Sequence, residues 1–169
     1  MTRASATCLA FAIALIGAIA WWRTAPAAIS PPRVALPPVV FRGEADAQAF
    51  AIARGALDRV FATPTGARAL ERLHSGVLAG PLTIELNRRG ANFTAYRVPG
   101  RELGETIFFD PSSRPLVETA AGRTPAYAET VLAHELGHAV FKLTSEQAVI
   151  DAVENPVRDE LGLPRRSRF

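Results

Sequence analysis

His134, Glu135 and His138 stand in the order His-Glu-x-x-His inside the apolar stretch Val131-Leu132-Ala133-His134-Glu135-Leu136-Gly137-His138-Ala139. On a helix, residues four apart share a face, so the two imidazoles point the same way and can chelate one zinc ion. A catalytic zinc keeps one position open for water and lowers the pKa of that water toward ~7. Glu135, next to the first His, can reach the water and take its proton as general base. The competing reading is a surface helix that happens to carry two His and a Glu. The flanks weigh against it, because Leu132, Leu136, Ala139, Val140 and Leu143 give the helix a buried side. Gly137 costs roughly 1 kcal/mol relative to Ala inside a helix. A small residue there makes sense if another part of the molecule, or the substrate, passes close.

A catalytic zinc takes three protein ligands, and here the third must be a carboxylate. The one cysteine, Cys8, lies near the N-terminus, so the body of the chain has no disulfide and no Cys-based zinc site. The metzincin pattern would need Gly at 141 and His at 144, where this chain has Phe141 and Thr144. The remaining His74 reads as the end of an earlier helix, favoured there by the helix dipole. A second helix begins near Glu146, capped by Thr144 or Ser145, with Ile150, Val153, Val157 and Leu161 as its core stripe. So short a turn makes the two helices antiparallel. Counting equal distances from the turn places Glu154 level with the His pair, on the rim of the stripe. Glu154 is the favoured third ligand. Glu146, close to the turn, and Asp151, turned outward, are the alternatives. Glu154 could instead pair with Arg158 one turn on, or Arg158 could orient a ligating Glu154 from behind. Pro156 removes a hydrogen bond and should kink or divide this helix near Asn155. Leu161-Gly162-Leu163-Pro164 stops it.

The elements that must position these residues point to an α+β fold: a small zincin-like domain with a short antiparallel sheet, the His-Glu-x-x-His helix, and a C-terminal helix carrying the third ligand. The range 44–62 has one apolar stripe of Phe50, Ala53, Leu57, Val60 and Phe61, and a shorter helix spans about 67–73, ended by Gly76. Leu82–Leu86 alternates as a half-buried strand; Asn87–Gly90 can turn the chain so that Phe93–Val98 returns beside it. Glu105–Asp110 is a third strand, stopped by Pro111, and 111–123 reads as loop. Thr124 and Pro125 look like the cap and first residue of the motif helix, which would run to about Leu143. Tyr127 and Tyr96 are candidates to stabilise an oxyanion, although packing is the simpler role for each.

The 169 residues suffice for one domain behind an N-terminal leader. Residues 1–25 read as an export signal or membrane anchor: Arg3 opens it, Cys8–Trp22 is apolar without charge, and Ala18-Ile19-Ala20 and Ala25-Pro26-Ala27 resemble cleavage sites. Residues 26–40 are a proline-rich tether, and 41–169 form the domain. The net charge is +3, or about +1 without Arg3 and Arg23, which excludes a polyanion binder on charge, and hence a nucleic-acid partner. Arg165, Arg166 and Arg168 read as a solvated basic tail. The expected location is periplasmic or secreted, or the inner membrane if the leader is not cleaved, which would be its only membrane contact. The oligomeric state is not set by these features.

Val131–Ala139 followed by Glu154-Asn155-Pro156-Val157-Arg158-Asp159-Glu160-Leu161-Gly162-Leu163-Pro164-Arg165 resembles the NleD-like type III effector zinc metallopeptidases and related toxin domains. Phe108-Phe109-Asp110-Pro111 is similar to a strand ending in Asp-Pro ahead of their motif. The resemblance covers roughly 105–169. It implies zinc-dependent peptide hydrolysis, with His134 and His138 as ligands and Glu135 catalytic, acting on a protein or peptide substrate. The stretch between the motif and the Glu-Asn ending is short here, which keeps the third ligand open, and family members are effectors or toxin modules without an export signal of this kind. The alternative function is a zinc-stabilised or inactive peptidase-like domain that binds a protein partner. Glu135, which a purely structural zinc site would not need, favours the enzyme.

Overall fold

The computed structural model describes residues 39–43, 45–78, 80–95 and 105–167. The leader, the tether up to Pro38, Tyr96 and Arg168 lie outside them. A four-stranded sheet is built from β1 (Val39–Gly43), β2 (Leu82–Leu86), β3 (Phe93–Ala95) and β4 (Thr106–Phe109), in the order β1-β2-β4-β3. β1 pairs with β2 and β2 with β4 in parallel; β3 runs antiparallel to β4. The fold is α+β, as the sequence implies, but the sheet is mixed rather than antiparallel.

Two features of the sequence hide this pairing. Val39 and Val40, which follow the prolines and read as tether, are the first residues of β1. Parallel strands need a crossover of a dozen or more residues. Here it is made by α1 (Ala47–Phe61) and α2 (Pro64–His74). Asp46 caps α1 by accepting from the Ala49 N–H, and Thr63 caps α2 by accepting from the Gly66 N–H, with Pro64 in the first turn. The second feature is the 87–92 loop, which does not fold β3 back on β2. Asn87 bonds within the loop to the Arg89 N–H and the Ala91 carbonyl. The Asp110 carboxylate accepts from the Gly90 N–H at 2.8 Å, and Asn92 Oδ1 accepts from the Asp110 N–H at 2.9 Å. The loop is thereby pinned over the end of β4 and delivers β3 to its far edge.

Residues expected as loop form a hairpin of β5 (Leu116–Thr119) and β6 (Gly122–Pro125). Thr119 closes its turn by accepting from the Ala121 N–H and donating to the Gly122 carbonyl. Thr124 and Pro125 pair with Val117 and Leu116, so they cannot cap the motif helix. That helix, α3 (Ala128–Ala139), starts only after Tyr127, beyond its Thr-Pro signal. It packs on α1 and against β3 and β4, with Leu132, Ala133, Leu136 and Ala139 in the core.

A tight turn with Lys142 in the left-handed region (φ 61°) leads to one continuous helical run. It comprises α4 (Glu146–Val149), a π-helical turn (Ile150–Glu154) and α5 (Asn155–Glu160). Pro156 explains the middle piece. In α geometry its ring would meet the carbonyl of Ala152, four residues back. Widening the turn, so that the Asn155 N–H reaches the Ile150 carbonyl five residues back, absorbs the conflict without a break. Among the described residues, no helix is long and apolar enough to cross a membrane.

What passes close to Gly137 is this second helix. A Cβ on Gly137 would lie 2.6 Å from Val149 Cγ1 and 3.3 Å from Cγ2. Val149 is fully buried and short-branched, so it cannot swing aside. Gly137→Ala is therefore expected to cost about 1–3 kcal/mol of overpacking, more than the roughly 1 kcal/mol that Ala gains in helix propensity. Because the displaced helical run carries both candidate ligands, Glu146 and Glu154, any zinc binding should weaken too. Urea unfolding and chelator competition on the variant check both; unchanged or raised stability would contradict this packing.

Candidate active site

His134 and His138 lie one turn apart on α3, with their ring centroids 5.0 Å apart and the rings nearly perpendicular. Each ring is held by its Nδ1. His134 Nδ1 is 2.9 Å from Glu154 Oε2, and His138 Nδ1 is 2.7 Å from the Leu143 carbonyl. A carbonyl can only accept, so His138 carries its proton on Nδ1. On His134 a carboxylate lies at each ring nitrogen, Glu154 at Nδ1 and Glu146 at Nε2. Both Nε2 atoms face Glu146. Its Oε2 is 2.8 Å from His134 Nε2 and its Oε1 is 3.5 Å from His138 Nε2. His134, His138 and Glu146 are the one group of side chains, among the described residues, whose ligand atoms all fall within 4.8 Å of one another. Neutral imidazole and carboxylate in this arrangement suit a zinc ion.

Glu154 occupies a different place from the one equal counting suggests. It sits behind His134, on the ring nitrogen opposite the ligand face. The π turn is the reason, since it changes the rotation per residue between Glu146 and Glu154. Glu154 is 2% exposed and its Oε1 accepts from Arg158 Nε at 2.9 Å, while Oε2 also accepts from Arg166 Nη1 at 3.1 Å. Arg158 is no surface partner: it is 1% exposed and donates further to the Pro164 carbonyl and Thr130 Oγ1. Burial alone would raise the Glu154 pKa, but the His134 bond and the charges of Arg166 and Arg158 together lower it. Burial likewise opposes the charged form of His134, yet the bond to Glu154 and the charges of Glu154, Glu135 and Glu146 raise its pKa. Asp151 is exposed and bonds to Gln147, away from the His pair.

Glu135 is buried and faces the cleft. Its Oε2 accepts from Thr94 Oγ1 at 2.7 Å, and burial raises its pKa, partly offset by that bond and by the two His. A carboxyl shifted upward is a stronger base once ionised. Nothing in the sequence singles out Thr94; a lone Thr in a three-residue strand carries no signal until β3 is placed over α3. Tyr127 stands at the helix cap position, 48% exposed, and is not among the residues lining the cleft. Tyr96 lies outside the described residues. His74 ends α2, apart from the His134–His138 group.

The cleft has a volume of about 430 Å³. It is lined by residues of α3, by Asn92, Phe93 and Thr94, and by Pro115, Leu116 and Val117. β3, which supplies Phe93 and Thr94, is an edge strand of the sheet.

The fold so described is similar to that of a zinc metalloprotease effector. The crystal structure of the Salmonella zinc metalloprotease effector GtgA matches it with a TM-score of 0.51 at 20% sequence identity, covering 74% of this chain and 73% of that one. The likeness at that identity is one of fold. The sequence matches no family model and none of the curated proteins.

Proposed function

We propose that this protein is a zinc-dependent peptidase related to the NleD-like effectors, with His134, His138 and Glu146 as ligands and Glu135 as general base. The carrying observation is the convergence of both Nε2 atoms on the Glu146 carboxylate while both Nδ1 atoms are engaged elsewhere. Zinc held there would supply Lewis-acid polarisation of a carbonyl and acidified water. An extended substrate would add to the edge of β3 by backbone hydrogen bonds, lying across α3. Glu135 takes a proton from water as its oxygen bonds to the scissile carbonyl carbon, then gives that proton to the nitrogen as the C–N bond breaks. Glu154, anchored by Arg158, keeps the His134 ring oriented and its Nδ1 protonated. Export by the apolar leader completes the reading and would place the substrate outside the cytoplasm.

The likeness in fold to GtgA, a zinc metalloprotease, supports the peptidase class. The direct test is incubation of purified, zinc-loaded protein with a peptide library, reading new N-termini. Hydrolysis is expected, lost after dialysis against a chelator and restored by added zinc. Cleavage that survives complete zinc removal would reject the mechanism.

A further inference from the structure

Peptide hydrolysis places negative charge on the carbonyl oxygen, and a positioned donor for that charge is worth ~10²–10³ in kcat. Among the described residues lining the cleft, Arg166 is the one cation apart from the two imidazoles. Of the neutral side chains there, Thr94 Oγ1 donates to Glu135 and Thr130 Oγ1 donates to the Tyr127 carbonyl. Asn92 and Thr144 carry no charge to set against an oxyanion. No tyrosine lines the cleft among the described residues.

Arg166 is also held there by construction rather than by chance. The Asn155 side chain grips its backbone twice, donating from Nδ2 to the Arg166 carbonyl at 2.9 Å and accepting from the Arg166 N–H at 2.8 Å. The Arg166 backbone bridges to Thr119, and the Ser167 N–H donates to the Glu118 carbonyl, so residues 166–167 lie along β5. Of the tail that reads as solvated in the sequence, Arg165 is exposed, but Arg166 is strapped down. Its side chain is only 16% exposed, against Glu154 and beside the His pair. Glu154 already has a buried guanidinium in Arg158. Arg166 is a second arginine on the same carboxylate, and its side chain also lines the cleft.

We propose that Arg166 is a catalytic residue of the hydrolysis: its guanidinium, steadied by Glu154, donates to the substrate's carbonyl oxygen as negative charge develops on it. This rests on the peptidase reading above. A guanidinium has five N–H donors in a fixed fork, so one can stay on Glu154 while another meets the oxyanion.

The test uses the full chain, with Arg166→Gln and Arg166→Lys. The backbone clamp by Asn155 survives either change, and Arg158 still holds Glu154. Zinc affinity is read by chelator competition, turnover on a cleaved peptide, and binding of a phosphinic peptide, whose tetrahedral anion mimics the transition state. Arg166→Gln is expected to lower kcat by ~10²–10³. KM and zinc affinity should stay within a few-fold, and phosphinic-peptide affinity should fall in parallel with kcat/KM. Arg166→Lys should recover part of both. A loss of zinc affinity that accounts for the lost activity, with recovery in excess zinc, would make Arg166 a positioning residue for Glu154 and overturn the proposal. A rise in KM alone, or no effect, would do the same. Wild-type protein that binds zinc but neither cleaves peptides nor binds the phosphinic peptide would instead overturn the peptidase reading on which the proposal stands.

Discussion

Glu135→Gln protein should bind zinc as wild type does and hydrolyse peptides ~10²–10⁴-fold more slowly, the range expected for loss of a general base. The substitution is isosteric, and the amide oxygen can still accept from Thr94 Oγ1, the bond that holds the side chain over the cleft. Glu135 is not in the His134–His138–Glu146 group, so the ligand set is untouched. What disappears is the ability to take a proton and hand it on. Chelator competition and single-turnover kinetics on a cleaved peptide measure the two quantities separately. The alternative, a zinc-stabilised binding module, expects no hydrolysis from either protein and no difference between them. Activity within tenfold of wild type in a zinc-replete variant would remove Glu135 from the mechanism.

The chemistry is more legible in the sequence than the geometry around it. The candidate group His134, Glu135 and His138 depends on a spacing local to one helix, and local spacing survives any arrangement of the remaining elements. The α+β class is legible for the same reason, since the periods over 44–62 and 82–86 are each set within one element. Sheet order is not, because it depends on an edge strand disguised by the preceding prolines and on a loop pinned by Asp110, far along the chain. Thr94 reaches the site through that pinned loop, and Arg166 through the Asn155 clamp and the bridge to Thr119. Glu154 is the instructive case. The counting that favours it assumes uniform α geometry from Ser145 to Leu161, while ahead of Pro156 the helix widens into a π turn. Pro156 is visible in the sequence, and so is its conflict with a regular helix. A kink and a π turn satisfy that conflict equally well there, and they rotate the carboxylates differently.

The two carboxylates can be told apart by how zinc affinity and stability respond together. Glu146→Ala removes a proposed ligand, so zinc affinity should fall by more than the ~10–100-fold typical of a residue behind a ligand. Its side chain is 42% exposed, and metal-free stability should change by no more than ~0.5 kcal/mol. Glu154→Gln should show the reverse balance. Affinity falls within ~10–100-fold, because His134 keeps its place on α3 but loses the carboxylate that orients its ring. Stability of the metal-free protein falls by roughly 3–5 kcal/mol, because Arg158, 1% exposed, is left as a buried charge without its partner. Asp151→Ala, at an exposed position facing away from the His pair, should change neither. Urea unfolding of the apo proteins and zinc competition against a chelator give both axes. A large affinity loss in Glu154→Gln, beside wild-type affinity in Glu146→Ala, would return the third ligand to Glu154 and require the helix to rewind when zinc binds.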